Sequence, residues 1–206
     1  MRTIKTFLAI IASSLLLYSC DDEDITPIPQ WTWADTDRSF EEIEITPGST
    51  IDVVLEIPDA PYEYNFRVIV PNEIDEVNGN PLVFSLHGGV GGRHREAHKS
   101  TQCVESGLAS INAFVISPNA DGVYWFDVYN QEKIFRILQM AINNWPIDLG
   151  KLVVTGYSDG GNGAWFFSEA YSDVFSAGIA MASSYNTLTS EGKPRRISTP
   201  LYVIHS

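Results

Sequence analysis

Near the centre of the chain, Leu152-Val153-Val154-Thr155-Gly156-Tyr157-Ser158-Asp159-Gly160-Gly161 sets a serine between glycines, where an apolar run ends and a helix-like stretch begins. A serine so placed is the residue type for nucleophilic acyl transfer, in which its hydroxyl attacks a carbonyl and forms a covalent acyl intermediate. The pattern G-x-S-x-G says little by itself in a chain with 15 glycines. Its flanks say more, because an apolar strand runs directly in and a helix carrying Ala164, Trp165 and Phe167 runs directly out. That strand–turn–helix is what holds a nucleophilic serine on a sharp, strained turn. The neighbouring positions must then be glycine to avoid collision. The helix N-terminus puts free amides and the positive end of its dipole beneath a developing negative charge. The plainer reading is a glycine-rich strand-to-helix turn with an incidental serine.

A second glycine-rich loop, Leu86-His87-Gly88-Gly89-Val90-Gly91-Gly92, follows the apolar run Leu82 to Leu86. It resembles the His-Gly oxyanion loop of α/β-hydrolases. Acyl transfer needs two backbone N–H donors aimed at the oxyanion, and the resemblance assigns one to Asp159, after the nucleophile, and the other to Gly89. Such a loop could also cradle phosphate, but the lysine of G-x-x-x-x-G-K-[ST] is missing and no G-x-G-x-x-G occurs. The Asp159 carboxylate beside an oxyanion is unfavourable unless it points into solvent or pairs with Arg93 or Arg95. His94 and His98 stand four apart in His94-Arg95-Glu96-Ala97-His98, yet this is not H-E-x-x-H and no third ligand is evident. The segment reads as a solvated helix start, and neither a metal nor a cofactor is expected. Tyr157 and Trp125 are the substrate-pocket candidates; Trp125, in Asp121-Gly122-Val123-Tyr124-Trp125-Phe126, is either a pocket wall with Tyr124 or a core anchor.

These motifs need a scaffold. Strand-like runs at Phe40 to Ile45, Ile51 to Ile57 and Tyr64 to Val70 are punctuated by Pro47-Gly48, Pro58-Asp59 and Pro71-Asn72. Beyond Pro81, short apolar runs (Leu82 to Leu86, Ala113 to Ser117, Leu152 to Thr155, Ala177 to Ala182, Leu201 to Ile204) alternate with helix-like stretches over Glu96 to Ala109, Gln131 to Asn144 and Asn162 to Tyr171. In the second helix Ile134, Ile137, Leu138, Ala141, Ile142 and Trp145 recur at three- and four-residue spacing and mark one buried face. Alternation of this kind predicts βαβ units and a mostly parallel sheet covered on both faces, with an antiparallel edge from the early strands. Ligands of such sheets bind beyond the carboxyl ends of the strands, where both glycine-rich motifs fall.

From Tyr64 to Ser206 the chain resembles the α/β-hydrolase superfamily. Within it the resemblance is to secreted esterases related to polyhydroxybutyrate depolymerases, feruloyl esterases and dienelactone hydrolases. The Pro81-to-Gly89 run, the Gly156-to-Gly161 turn and the Pro200-to-His205 strand carry it. It implies a three-layer α/β sandwich and a serine-dependent carboxylic ester hydrolase acting through an acyl-enzyme on Ser158. In this fold the triad runs serine, then acid, then histidine. The acid follows the strand that Leu201 to Ile204 would form, and the histidine comes later still. His87, His94 and His98 precede Ser158, and His205 sits where the family carries a structural histidine. The expectation is therefore a C-terminally truncated fragment that lacks the triad acid and base and the final strand and helix. The alternative is a non-catalytic surface-binding lipoprotein that keeps the fold.

At the other end, Arg2 and Lys5 precede the apolar run Phe7 to Tyr18, which is shorter than the roughly 20 residues a membrane-spanning helix requires. It fits a secretory signal peptide. Leu17-Tyr18-Ser19-Cys20 resembles the bacterial lipobox, which implies cleavage before Cys20 and lipidation of its thiol. The acidic run Asp21 to Asp24 resembles surface-export signals of bacterial lipoproteins. The expected organisation is a signal peptide over residues 1–19, an acidic tether over 20–38 and an incomplete hydrolase domain over 39–206. The protein would be exported and lipid-anchored to a bacterial outer membrane, on its periplasmic or cell-surface face. Cys103 is then the one free thiol and reads as a small buried hydrophobe in the helix Glu96 to Ala109. The net charge of −13, more negative once Arg2 and Lys5 leave, argues against nucleic acid and against direct adhesion to anionic lipid. The partners that remain are an ester substrate, small or polysaccharide-linked, and a membrane reached through the lipid; oligomeric state is not legible.

Overall fold

Apolar runs long enough to be buried on both faces set the centre of the molecule. The computed structural model describes residues 40, 42–56, 63–89, 95–101, 104, 107–188, 190 and 192–205. The signal peptide, Cys20 and the tether lie outside the described residues, as does Cys103. Seven strands form one mixed sheet: β1 (Thr50–Leu55), β2 (Tyr64–Ile69), β3 (Asn80–Leu86), β4 (Phe114–Pro118), β5 (Ile147–Tyr157), β6 (Ala177–Met181) and β7 (Leu201–Ile204). Their order across the sheet is β1-β2-β4-β3-β5-β6-β7. β1 and β2 pair antiparallel, as do β2 and β4, and every pair from β4 to β7 is parallel. The sheet is thus mostly parallel with an antiparallel N-terminal edge. At the other edge, β7 exposes Tyr202, Val203 and Ile204.

Two helices cover one face. Helix α1 (Val128–Asn144) ends at Trp145, where Pro146 cannot continue the backbone ladder. Helix α2 (Asp159–Ala170) buries Gly160, Gly161, Gly163 and Ala164, small residues that let its axis lie close to the sheet. The two helices meet through Phe135, whose ring lies 6.2 Å from Phe167 and 4.6 Å from Tyr171. Along β3 the side chains alternate between faces: Leu82, Phe84 and Leu86 join the core beneath the helices, while Val83 joins a smaller cluster with Val104, Ala113 and Val115 on the other face. Leu108 packs on that second cluster, so the segment carrying Val104 and Leu108 supplies the third layer.

Two expected elements differ. Residues 43–46 form no strand, although their apolar residues alternate. Phe40 is instead a buried plug, its ring 4.8 Å from Trp145 and 5.8 Å from Phe66, and Ile43 and Ile45 lean on the same core. The alternation serves packing against the rim of the sheet without pairing to it. The helix expected over Glu96 to Ala109 is also not continuous: 3-10 turns at Ala97–Lys99 and Ala109–Ile111 are separated by non-helical Ser100 and Thr101. Ser100 and Thr101 close short turns through their amides onto the carbonyls of Ala97 and Lys99, and Thr101 is fully buried. Such residues favour local backbone bonding over helix propagation.

Candidate active site

Ser158 stands at the hinge between β5 and α2 with φ 55° and ψ −118°, a region that residues other than glycine rarely occupy. The surrounding chain holds it there. Its amide donates to the carbonyl of Met181 at the end of β6 (2.9 Å), and its own carbonyl accepts the amide of Asn162 (3.0 Å). Two glycines make the turn possible by absence of a side chain. A Cβ on Gly156 would stand 2.1 Å from the Gly160 carbonyl oxygen, and one on Gly160 would stand 1.9 Å from that of Leu86. No side chain fits either gap, so α2 begins pressed against the carboxyl ends of β3 and β5.

The same approach brings the second motif to the first. A Cβ on Gly88 would lie 3.1 Å from the Cβ of Ser158 and 3.0 Å from the carbonyl of Tyr157, so the His87–Gly89 loop runs directly alongside the serine. Gly89 takes φ 69°. Ser158, Tyr157, Gly88 and Gly89 share a cavity of about 520 Å³, which Val104 and Met181 also line. Ser158 and Asp159 are half-buried, Tyr157 is exposed, and Asp159 opens the first turn of α2, where a negative charge suits the helix dipole. Of the two arginines considered for Asp159, Arg95 is exposed and Arg93 lies outside the described residues.

His87 is buried with both ring nitrogens engaged: Nε2 accepts the amide of Ala120 (3.0 Å), so Nδ1 carries the proton and donates to the carbonyl of Gly88 (2.8 Å). Burial pushes this imidazole below its ordinary value, so it is neutral. His98, also buried, accepts from Asn119 Nδ2 through Nδ1 (3.4 Å) and is likewise held low by burial. Both rings are therefore committed to the turn after β4, and among the described residues neither is hydrogen-bonded to Ser158. His205 is exposed beyond β7. Among the described residues no group of three or more His, Cys, Asp or Glu converges to hold a metal ion.

Trp125 corrects one expectation. It is 1% exposed and does not line the cavity; its Nε1 donates to the carbonyl of His87 (2.9 Å) and its ring packs edge-on against the imidazole at 5.1 Å. An indole so large with one polar atom is best satisfied in the core, where that N–H has a carbonyl. The outward-facing neighbours are Tyr124 and Phe126. The cavity lining includes instead Glu96, Lys99 and Ser100, which the expected helix did not single out; Lys99 pairs with Glu96 at 2.7 Å.

The two buried imidazoles set a pH dependence. Both are neutral in the fold and have lower pKa values there than the ordinary 6.5 they regain on unfolding. The unfolded chain therefore binds these protons first, so their contribution to stability is complete above about 6.5 and is lost as pH falls through the folded-state values. Carboxylates protonate mostly below about pH 5 and leave this window clear. Thermal midpoints are expected to fall from about pH 7 to about pH 5, and a His87→Gln, His98→Gln double variant to flatten that slope.

No protein-family model and no curated protein matches the sequence. Solved structures do match the fold. A thermostable esterase aligns with a TM-score of 0.60 and 20% identity, covering 75% of this chain and 45% of its own. The fluorophosphonate-binding serine hydrolase F of Staphylococcus aureus, with substrate bound, aligns with a TM-score of 0.55 and 18% identity over 75% of this chain and 68% of its own. An acetyl xylan esterase from Aspergillus awamori aligns with a TM-score of 0.51 and 18% identity over 73% and 58%. The chain thus spans less than half the length of the first of these structures. With its mixed sheet, its covering helices and its serine on the strand-to-helix turn after β5, the chain has the α/β-hydrolase fold of these esterases and serine hydrolases.

Proposed function

We propose that the protein is the core of a serine-dependent carboxylic ester hydrolase in which Ser158 is the nucleophile. One observation carries this reading: Ser158 is held at φ 55° on the glycine-cleared turn at the head of α2, with the His87–Gly89 loop against it in one cavity. In this reading Ser158 Oγ attacks the ester carbonyl and loses its proton to a general base. The resulting oxyanion is held by the amides of Gly89 and Asp159. The intermediate collapses to an acyl-enzyme and releases the alcohol, and water then attacks the acyl group to free the acid and regenerate the serine. Each oxyanion donor is worth about 10²–10³ in rate. His87 does not serve as the base, since its nitrogens hold Gly88 and Ala120. No described residue is assigned as that base or as its orienting acid.

The cavity of about 520 Å³, whose lining includes Tyr157 and the Glu96–Lys99 pair, suits a compact acyl group on a larger alcohol. Acetyl or aryl esters on plant polysaccharide are the substrates we propose, a class that the neighbouring acetyl xylan esterase supports by name. We further propose lipid anchoring through Cys20 after export, on the lipobox-like Leu17-Tyr18-Ser19-Cys20. An exported surface enzyme would meet such polymers directly.

A fluorophosphonate probe tests the chemistry. Intact mass is expected to rise by one phosphonyl group in the wild type and not in Ser158→Ala; a folded protein that takes no label would favour a binding lipoprotein instead. Expression of the full chain in a bacterial host tests the anchor. Wild type should sediment with membranes and Cys20→Ser should be released, whereas equal release of both would contradict anchoring at that cysteine.

A further inference from the structure

The mechanism leaves one costly feature unused: a lysine in the core. Lys133 lies on α1 with no exposed surface, and burial pushes its ammonium down to about 8 despite the partnering carboxylate of Asp121. For stability alone an apolar side chain of similar volume serves such a position as well or better. The three donors of Lys133 are directed at something specific. Nζ donates to the carbonyl of Asn119 (2.5 Å) and to the carboxylate of Asp121, and it lies 4.4 Å from the centroid of the Tyr129 ring.

Both acceptors belong to the turn between β4 and α1. That turn holds Asp121 at φ 55°, which is costly for a residue with a side chain, next to Gly122 at φ 80°. One face of α1 holds it. The Tyr129 hydroxyl donates to Asp121 (3.0 Å), and Asn130 Nδ2 is shared among the carbonyls of Ala120, Val123 and Tyr124 at 3.2, 2.9 and 3.2 Å. What the turn presents to the site is the Ala120 amide, which donates to His87 Nε2. That bond fixes the imidazole tautomer, and the tautomer places the Nδ1 proton on the Gly88 carbonyl, orienting the peptide that leads into Gly89.

We propose that Lys133 is a positioning residue for the His87–Gly89 loop, acting through the Asn119–Asp121 turn and the His87 ring. The proposal rests on reading that loop as the oxyanion side of the site, but its first test does not depend on turnover. In protein labelled with nitrogen-15 histidine, the His87 ring of the wild type should show protonated Nδ1 and unprotonated Nε2. Lys133→Met is expected to give averaged tautomers and a ring proton that exchanges about tenfold faster. Ile137→Val, one helical turn away on α1, should leave the ring signals in place. Tyr129→Phe removes a single donor to Asp121 and should shift the same signals by less; it decides the matter if Lys133→Met does not fold. Unchanged His87 signals in a folded variant would overturn the proposal. Where the wild type takes the fluorophosphonate label, Lys133→Met should slow labelling by about 10²-fold, the scale of a misplaced oxyanion donor. Unchanged labelling beside altered His87 signals would also overturn it. A wild type that takes no label would instead count against the esterase reading, with the ring signals still deciding the role of Lys133.

Discussion

A Cβ on Gly160 would sit 1.9 Å from the Leu86 carbonyl oxygen and one on Gly156 2.1 Å from that of Gly160, so the first turn of α2 meets the ends of β3 and β5 at distances no other residue permits. Much of the site follows from this approach. It bends the chain at Ser158 into its positive φ. It also lets the loop leaving β3 run beside the serine. The bonds to Met181 and Asn162 then hold a conformation that would relax in isolation.

The loop leaving β3 has no comparable clearance to define it and is held by polar contacts. Trp125 and Ala120 donate to His87 from one side, and His87 donates to Gly88 from the other. These groups are buried, so each bond lost would leave a desolvated donor or acceptor, a penalty of about 1–3 kcal/mol. A network of this kind fixes one arrangement more firmly than apolar packing does. Ser158 is thus positioned mainly by steric exclusion and the His87–Gly89 loop mainly by hydrogen bonds, two different physical means converging on one cavity.

How much of this was legible in the sequence divides along the same line. Leu82 to Leu86 and Leu152 to Thr155 are nearly continuous apolar runs because their strands lie at the centre of the sheet and are buried on both faces, and that pattern survives in one dimension. The Gly156-to-Gly161 run encodes a steric requirement directly, so the turn at Ser158 could be read from residue types alone. Phe40 to Ile45 misled because alternation records burial on one side, which a segment at the sheet rim achieves without pairing. Glu96 to Ala109 is not one continuous helix because the local bonds of Ser100 and Thr101 interrupt it. The side of the sheet on which Trp125 lies depends on where His87 offers its carbonyl, a relation between distant segments. The clearest overlooked signal is Lys133, which lies one turn before Ile137 on the face of α1 otherwise marked by apolar residues. A lysine on a buried face is uncommon unless it is paired.

The account's central claim is that the turn after β5 and the loop after β3 form one acyl-transfer site. A crystal structure of the fluorophosphonate adduct tests it most directly. The claim predicts phosphorus bonded to Ser158 Oγ, with the phosphonyl oxygen about 2.7–3.1 Å from the amide nitrogens of Gly89 and Asp159. An adduct on another residue, or one on Ser158 whose oxygen points into solvent away from both amides, would contradict it.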